Sequence, residues 1–489
     1  MRLSASTLSR LPAGVERPDY DLSAVAIGVV HFGIGAFHRA HQAAVFDAAL
    51  RSGDLRWGIM GVSLRSAGVR DQMAPQDGLY TLVERSDAGE QLRVIGAVRE
   101  VVVARDDPAR VIAALASPSV HIVTLTVTEK GYHLDPATGR LRDGDAEIAA
   151  DLRCLDAPRS APGFIVAGLA ARRAAGLAPF TVISCDNLPH NGALLRAAVL
   201  AVAQAHDPAL ALWIAGEGAF PQTMVDRIVP ATTAADVAAL AATLGVEDRA
   251  MVKTEPFLQW VIQNRFCGPR PDFAALGVQL TADVAPWEEA KLRLLNGAHS
   301  GIAYLGGLAG IDRVSDFVSI PEGFRFVTEM WDQCNSTLNP PPGLDIPAYR
   351  EKLMARFANT TLAHRTRQIA MDGSQKLPQR LIAPILKRRA QKLPVDILAL
   401  AVAAWMRWQS GIDDAGQSFT VDDPLANRTA AALAGSRNAA ERVRTLLAIA
   451  EIFPPAFATD AELASLLTQW LEMLECNGAM AALASGLPA

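Results

Sequence analysis

Four short apolar runs, spaced by alanine-rich helical stretches, restrict this chain more than anything else in it. The runs AIGVVHF (26–32), WGIMGV (57–62), HIVTLTV (121–127) and FTVISC (180–185) are rich in β-branched residues and show no polar alternation. A strand without alternation has both faces buried, so it needs cover on both sides. The stretches AHQAAVFDAAL (40–50) and FIVAGLAARRAAG (164–176) offer that cover as helices. Strands alternating with helices in this way predict a parallel, doubly wound α/β sheet.

The texture changes after about residue 285. Long helical patterns take over in WEEAKLRLLNGAHSGIAYLGGL, DILALAVAAWMRWQSG and AERVRTLLAIAEIF, broken by the proline-rich NPPPGLDIP (339–347). With 489 residues the chain is long enough for two domains. We expect residues 1–284 to form the α/β domain and 285–489 a mainly α-helical one, with the boundary between 280 and 287.

Composition removes several classes of function. Half the residues are hydrophobic and a fifth charged, which suits a packed core. The 46 basic and 51 acidic residues show no basic cluster interleaved with aromatics, so a nucleic-acid partner is not expected. The longest apolar run, ILALAVAAWM (397–406), has ten residues, half of what a bilayer span requires, so no membrane partner is expected. The start lacks the apolar core of a signal peptide. Five cysteines are scattered with no CxxC pair, which points to a reducing compartment and to no metal site. The expectation is a soluble cytoplasmic enzyme; its oligomeric state is open, with a monomer compatible.

The first strand runs into a glycine turn, VVHFGIGAFHRAHQ. Gly33 and Gly35 stand between strand and helix, where a dinucleotide's pyrophosphate could approach the backbone and the helix N-terminus. His38 occupies the place of the third glycine of that fingerprint. A plain tight turn is the alternative. Phe37 and Arg39, in the same segment, join the two glycines as candidate cofactor contacts. The second strand has no acid after it before Asp71; Arg65 there is either an acceptor for a 2′-phosphate or a solvated loop residue, so NAD and NADP both remain open.

KLRLLNGAHSG (291–301) sets a lysine, an amide and an imidazole on one apolar segment. On an α-helix Lys291, Asn296 and His299 fall at roughly 0°, 140° and 80°, with about 12 Å of axial span, on one broad face. A lysine screened from water can exchange a proton, an amide N–H can hold an alkoxide-like oxygen, and an imidazole can hold a neighbouring hydroxyl. Alcohol–ketone interconversion needs those three roles. The alternative is an amphipathic helix with a snorkelling lysine and a core histidine.

These segments, with DGLYTLVE, IVTLTVTEKGYHLD, FTVISCDNLPHNG, FPQTMVDRIVP, EPFLQWVI and DGSQKLP in order along nearly the whole chain, resemble the polyol-specific long-chain dehydrogenases, the mannitol dehydrogenase family. The resemblance implies a Rossmann-like domain followed by a helical one, hydride transfer with NAD, and no metal. It implies Lys291 as general acid/base, Asn296 and Asn187 as the amides on the reacting oxygen, and Glu288 as a proton relay. His299, Asp226 and Lys376 match substrate-binding positions. For Asp226 an ion pair in the surroundings of Arg227, and for Glu288 an exposed first-turn acid, are the structural alternatives.

Within the family, HRTRQIAMDGSQKLPQR (364–380) and TEKGY, with Lys130, look like the members that act on mannonate and fructuronate; Gln368 stands where mannitol enzymes carry arginine. The implied substrate pair is D-fructuronate and D-mannonate. A hexuronate's carboxylate asks for an extra cation, for which Lys130, Arg365 and Arg367 are candidates, each alternatively a surface charge. A mannitol 2-dehydrogenase or related polyol dehydrogenase is the other enzymatic reading. A catalytically silent dinucleotide sensor would have lost Lys291.

Overall fold

Runs of Val, Ile and Phe that bury both faces have one economical solution, a central sheet sandwiched by helices, and the chain adopts it. The computed structural model describes residues 1–135, 139–142, 144–362 and 364–485. It divides into two compact units, Met1–Val284 and Ala285–Ala489.

In the first unit, β1 (Ile27–Phe32), β2 (Gly58–Ser63), β3 (Val98–Val103), β4 (Ile122–Leu125) and β5 (Thr181–Ser184) form a sheet in the order β3-β2-β1-β4-β5. All four pairings are parallel. Side chains alternate across it with period two. Val30, Phe32, Met60, Val62, Val123 and Leu125 join one core with Phe164 and Ile165. Val29, Ile59, Ile122 and Ile183 join the other with Phe46, Leu50 and Trp260.

The four runs read as strands are all strands. β3 escaped that reading because Arg99 and Glu100 interrupt its apolar pattern; it lies at the sheet's edge, where polar side chains still reach water. The helix expected over 40–50 is two pieces, α1 (Ala36–Ala40) and α2 (Gln42–Arg51), parted at His41, whose backbone leaves the helical region and whose Nε2 lies 2.9 Å from the Gln259 carbonyl. A smaller sheet pairs β6 (Thr223–Asp226) antiparallel with β7 (Gln259–Gln263).

The second unit is helical. α3 (Ala285–Ala290) continues through a π-helical segment, Lys291–Gly297, into α4 (Ala298–Leu308). Every residue of α4 is buried, so it is a core helix with no polar face. Its Gly301 admits the Phe326 ring of α5 (Pro321–Asn335), which a Cβ would meet at 2.7 Å. Among the described residues no helix is long and apolar enough to cross a membrane.

Candidate active site

The glycine turn is built by the strands beside it. Gly33 N–H donates to Val62 O of β2 and Thr126 N–H to Phe32 O, at 2.9 Å each. Gly33 has φ +92°, and a Cβ there would lie 2.1 Å from Thr126 O. We expect Gly33→Ala to destabilise the first unit by about 2–4 kcal/mol, since backbone strain and steric overlap act together; urea unfolding checks this, and unchanged stability would mean the turn relaxes freely. His31 fastens the turn from beneath. Its Nδ1 lies 2.7 Å from Thr124 Oγ1 and its Nε2 3.1 Å from Gly33 O. Burial pushes its pKa down to about 3, so it is neutral. Its ring stacks at 3.3 Å on His38, which turns into the core instead of toward a ligand.

Gly35 caps α1, is exposed, and has nothing closer than 3.8 Å to where a Cβ would stand. Phe37 is half-buried against the His41 ring. Arg39 departs from the expectation: its guanidinium points inward, donating to Ala250 O and Gly35 O above the Tyr80 ring. It is 7 % exposed and serves the fold. Arg65 pairs with Glu147 at 2.6 Å, and both line a cavity of about 420 Å³ beyond the ends of β2 and β3, with Arg105 and Arg159.

The end of β4 carries a feature the sequence did not announce. Thr128 has φ +66° and ψ 169°, a region that β-branched residues avoid. Asp186, just past β5, holds it there by accepting the Thr128 N–H at 2.8 Å and the Tyr132 hydroxyl at 2.7 Å. Asn191 Nδ2 in turn donates to Asp186 O at 3.1 Å and Thr223 O at 3.0 Å. This network fixes the loop that presents Asn187, which is exposed, and joins it to β6, which ends at the buried Asp226. The signal was available in the polar cluster SCDNLPHNG, but only the adjacency of β4 and β5 gives it meaning. Arg227, the next residue, pairs with Glu84. Lys130 is exposed.

His133, Asp145 and Glu147 bring ligand-type atoms within 4.8 Å of one another. The two carboxylates have other work: Asp145 caps the helix that Ala146 begins, accepting Glu147 N–H and Ile148 N–H, and Glu147 holds Arg65.

In the second unit the lysine, amide and imidazole lie on one continuous helix, wound differently from expectation. Residues 291–297 are π-helical, with hydrogen bonds reaching back five residues instead of four. The wider turn brings Asn296 closer to the line of Lys291 than the 140° of an α-helix. Side chains also reach the carbonyls of this stretch. Trp331 Nε1 donates to Leu294 O at 2.7 Å; Ser300 Oγ and Arg380 Nη1 donate to Asn296 O at 3.2 and 3.4 Å.

Lys291 is 6 % exposed. Glu288 precedes it by three residues on α3, half-buried. Asn296 Oδ1 and His299 Nε2 are buried and without a hydrogen-bond partner. Buried polar atoms are rarely left so, and each costs stability until a ligand or water answers it. His299 packs against Phe357 at 4.8 Å and His364 at 5.0 Å; burial drives its pKa well below the ordinary value, so it meets a ligand as neutral imidazole.

Lys376 lies on α6 (Gly373–Leu377), anchored by its ammonium on Met371 O and Ile369 O; burial lowers its pKa. Arg365 is exposed with a loose pair to Asp312 at 3.8 Å. Arg367 pairs with Asp413 at 3.2 Å and lies over the Phe419 ring. Lys291, Asn296, His299 and Lys376 thus all belong to this unit, with Arg380 near both His299 and Lys376, while Arg365 and Arg367 take the acidic partners Asp312 and Asp413.

Comparison with known proteins agrees along the whole chain. Residues 27–275 match the family description "Mannitol dehydrogenase Rossmann domain", and 283–475 match "Mannitol dehydrogenase C-terminal domain". The chain is 43% identical over 477 residues to a D-mannonate oxidoreductase of Escherichia coli (strain K12), covering 96% of this chain and 97% of that one. It is 41% identical over 489 residues to a mannitol 2-dehydrogenase of Pyrenophora tritici-repentis, covering 98% and 85%. A solved Pseudomonas fluorescens mannitol 2-dehydrogenase, in ternary complex with NAD and D-mannitol, superposes with TM-score 0.86 at 38% identity, over 99% of each chain.

Proposed function

This chain belongs to the mannitol dehydrogenase family, an oxidoreductase acting on CH–OH groups, and from that premise we propose that it interconverts D-fructuronate and D-mannonate with NAD. The cofactor fits the first unit on structural grounds. The Gly33–Gly35 turn follows β1, whose neighbours β2 and β4 lead away on opposite sides, the switch point at which such sheets take ligands. Gly35 leaves its backbone uncovered, and the cavity beside Arg65 and Glu147 has room for an adenosine group. Gly33, Gly35 and Phe37 would line the pyrophosphate's approach, with Arg65 and Glu147 beside the ribose. A nicotinamide held there would supply the hydride in reduction and accept it in oxidation.

The chain's own residues manage the proton and the oxygen. Lys291 gives the proton to the oxygen in reduction and takes it in oxidation. Glu288, one turn earlier, passes that proton to solvent. Asn296 and Asn187 donate amide N–H groups to the oxygen as its charge develops. His299, Asp226 and Lys376 hold the neighbouring hydroxyls, which fixes the reacting carbon. The observation that carries the reaction class is the buried Lys291 on a wide turn with two unanswered polar atoms, Asn296 Oδ1 and His299 Nε2.

The hexuronate is supported by the segment 364–380 and by the D-mannonate oxidoreductase relative. Mannitol 2-dehydrogenases of nearly equal identity support a second reading, mannitol and fructose. Steady-state reduction of fructuronate and fructose, each with NADH and NADPH, decides between them. We expect kcat/KM to favour fructuronate by at least about tenfold, the scale a buried charge-recognising contact gives, and NADH over NADPH. Preference for fructose would make the chain a polyol dehydrogenase.

A further inference from the structure

A cation beside the Asn296 turn meets no anion among the described residues. Arg380 sits in a second π-helical segment, Pro378–Ile382, facing the first. Its Nη1 donates to Asn296 O at 3.4 Å and Ser300 Oγ at 3.2 Å. Among the described residues no carboxylate pairs with it, and Nε and Nη2 make no protein hydrogen bond. The other arginines near this helix are committed: Arg293 to Glu289 and Thr337, Arg388 to Pro394 O, Gln333 O and Ser336, and Arg356, buried near His299, is engaged as well. Arg380 is half-buried, and burial pushes its pKa down to about 10, leaving it charged at neutral pH.

Its charge bears on His299 and on Lys376, which lies four residues before it on the same side of the helix. A guanidinium removed from water without a counter-ion is costly, and a carboxylate presented to its open edge offsets that cost with two parallel charge-assisted bonds. The surface cations do not match this. Lys130 and Arg365 are exposed, and Arg367 is already paired with Asp413.

We propose that Arg380 binds the terminal carboxylate of the hexuronate through Nε and Nη2, while Nη1 keeps its hold on the Asn296 turn. The inference rests on the hexuronate reading above and names the residue that makes it selective. A hexitol or ketohexose presents a neutral hydroxyl at that end and draws little from Arg380.

The test is kcat/KM for fructuronate and for fructose, with NADH, in the unaltered enzyme, Arg380→Gln and Arg380→Lys. In Arg380→Gln we expect fructuronate to lose about 100-fold, mostly in KM, the scale of a lost buried ion pair, and fructose less than about threefold. Arg380→Lys keeps the charge without the fork and should lose about tenfold with fructuronate. It serves also if the glutamine variant folds poorly. Tryptophan-fluorescence titration of the NAD-loaded enzyme with mannonate and mannitol should show the same split in affinity. Parallel losses for both sugars would make Arg380 only a support for the turn, and an undiminished fructuronate preference would place the carboxylate elsewhere; both overturn the proposal. If the unaltered enzyme itself prefers fructose, the hexuronate reading has failed first and the inference goes with it.

Discussion

Lys291→Ala lowers kcat by about a thousandfold in either direction, within the range that a positioned general acid/base contributes. KM for the sugar moves far less, because the remaining amide and imidazole contacts still bind it. The lysine begins the π-helical turn and is nearly sealed from water. Alanine is a good helix former, so the helix itself should survive the change. Unchanged circular dichroism and melting temperature should accompany the lost activity. Small primary amines added to the variant should restore part of the rate, since they supply the missing proton carrier. A folded Lys291→Ala enzyme with kcat within about threefold of the original would remove the lysine from the chemistry.

The second large effect is on stability. His31 and His38 in the first unit, and His299 and His364 in the second, are depressed by burial, His31 to about 3 and His364 to about 4. As pH falls below about 6.5 the unfolded chain takes up protons at these positions and the folded one does not. Stability is therefore present above that value and is lost on acidification, down to the folded pKa values. Each imidazole contributes up to about 1.4 kcal/mol per pH unit, so the four together should remove about 4 kcal/mol between pH 6.5 and 5.5. Asp151, Asp186 and Asp248 are raised by burial and protonate first in the folded state, which offsets part of the loss at the most acid end. Urea midpoints at pH 7.5, 6.5 and 5.5 measure the slope. His38→Phe should flatten it in the first unit, and a slope no steeper than surface titration gives would show that these rings gain protons without unfolding.

Much of the architecture was legible because burial on both faces leaves a strand few alternatives. AIGVVHF, WGIMGV, HIVTLTV and FTVISC could only be interior strands, and the glycine pair after the first could only be a turn. The edge strand Val98–Val103 was hidden by its own charges, since an edge tolerates the polarity that a central strand does not. Arg39 misled for the opposite reason. An arginine beside a glycine turn looks available to a phosphate, yet its guanidinium is taken by Ala250 O, more than two hundred residues away.

The classes of element, the glycine turn, and the presence of lysine, amide and imidazole on one helix all follow from local pattern and spacing. How that helix winds, and that Arg380 meets no carboxylate among the described residues, follow from packing between distant segments. The carbonyls of Leu294 and Asn296 in the π-helical turn are met by Trp331 and Arg380, 37 and 84 residues away. Strained Thr128 is held by Asp186, 58 residues on. A local pattern carries no record of such partners; they come together only when distant segments pack.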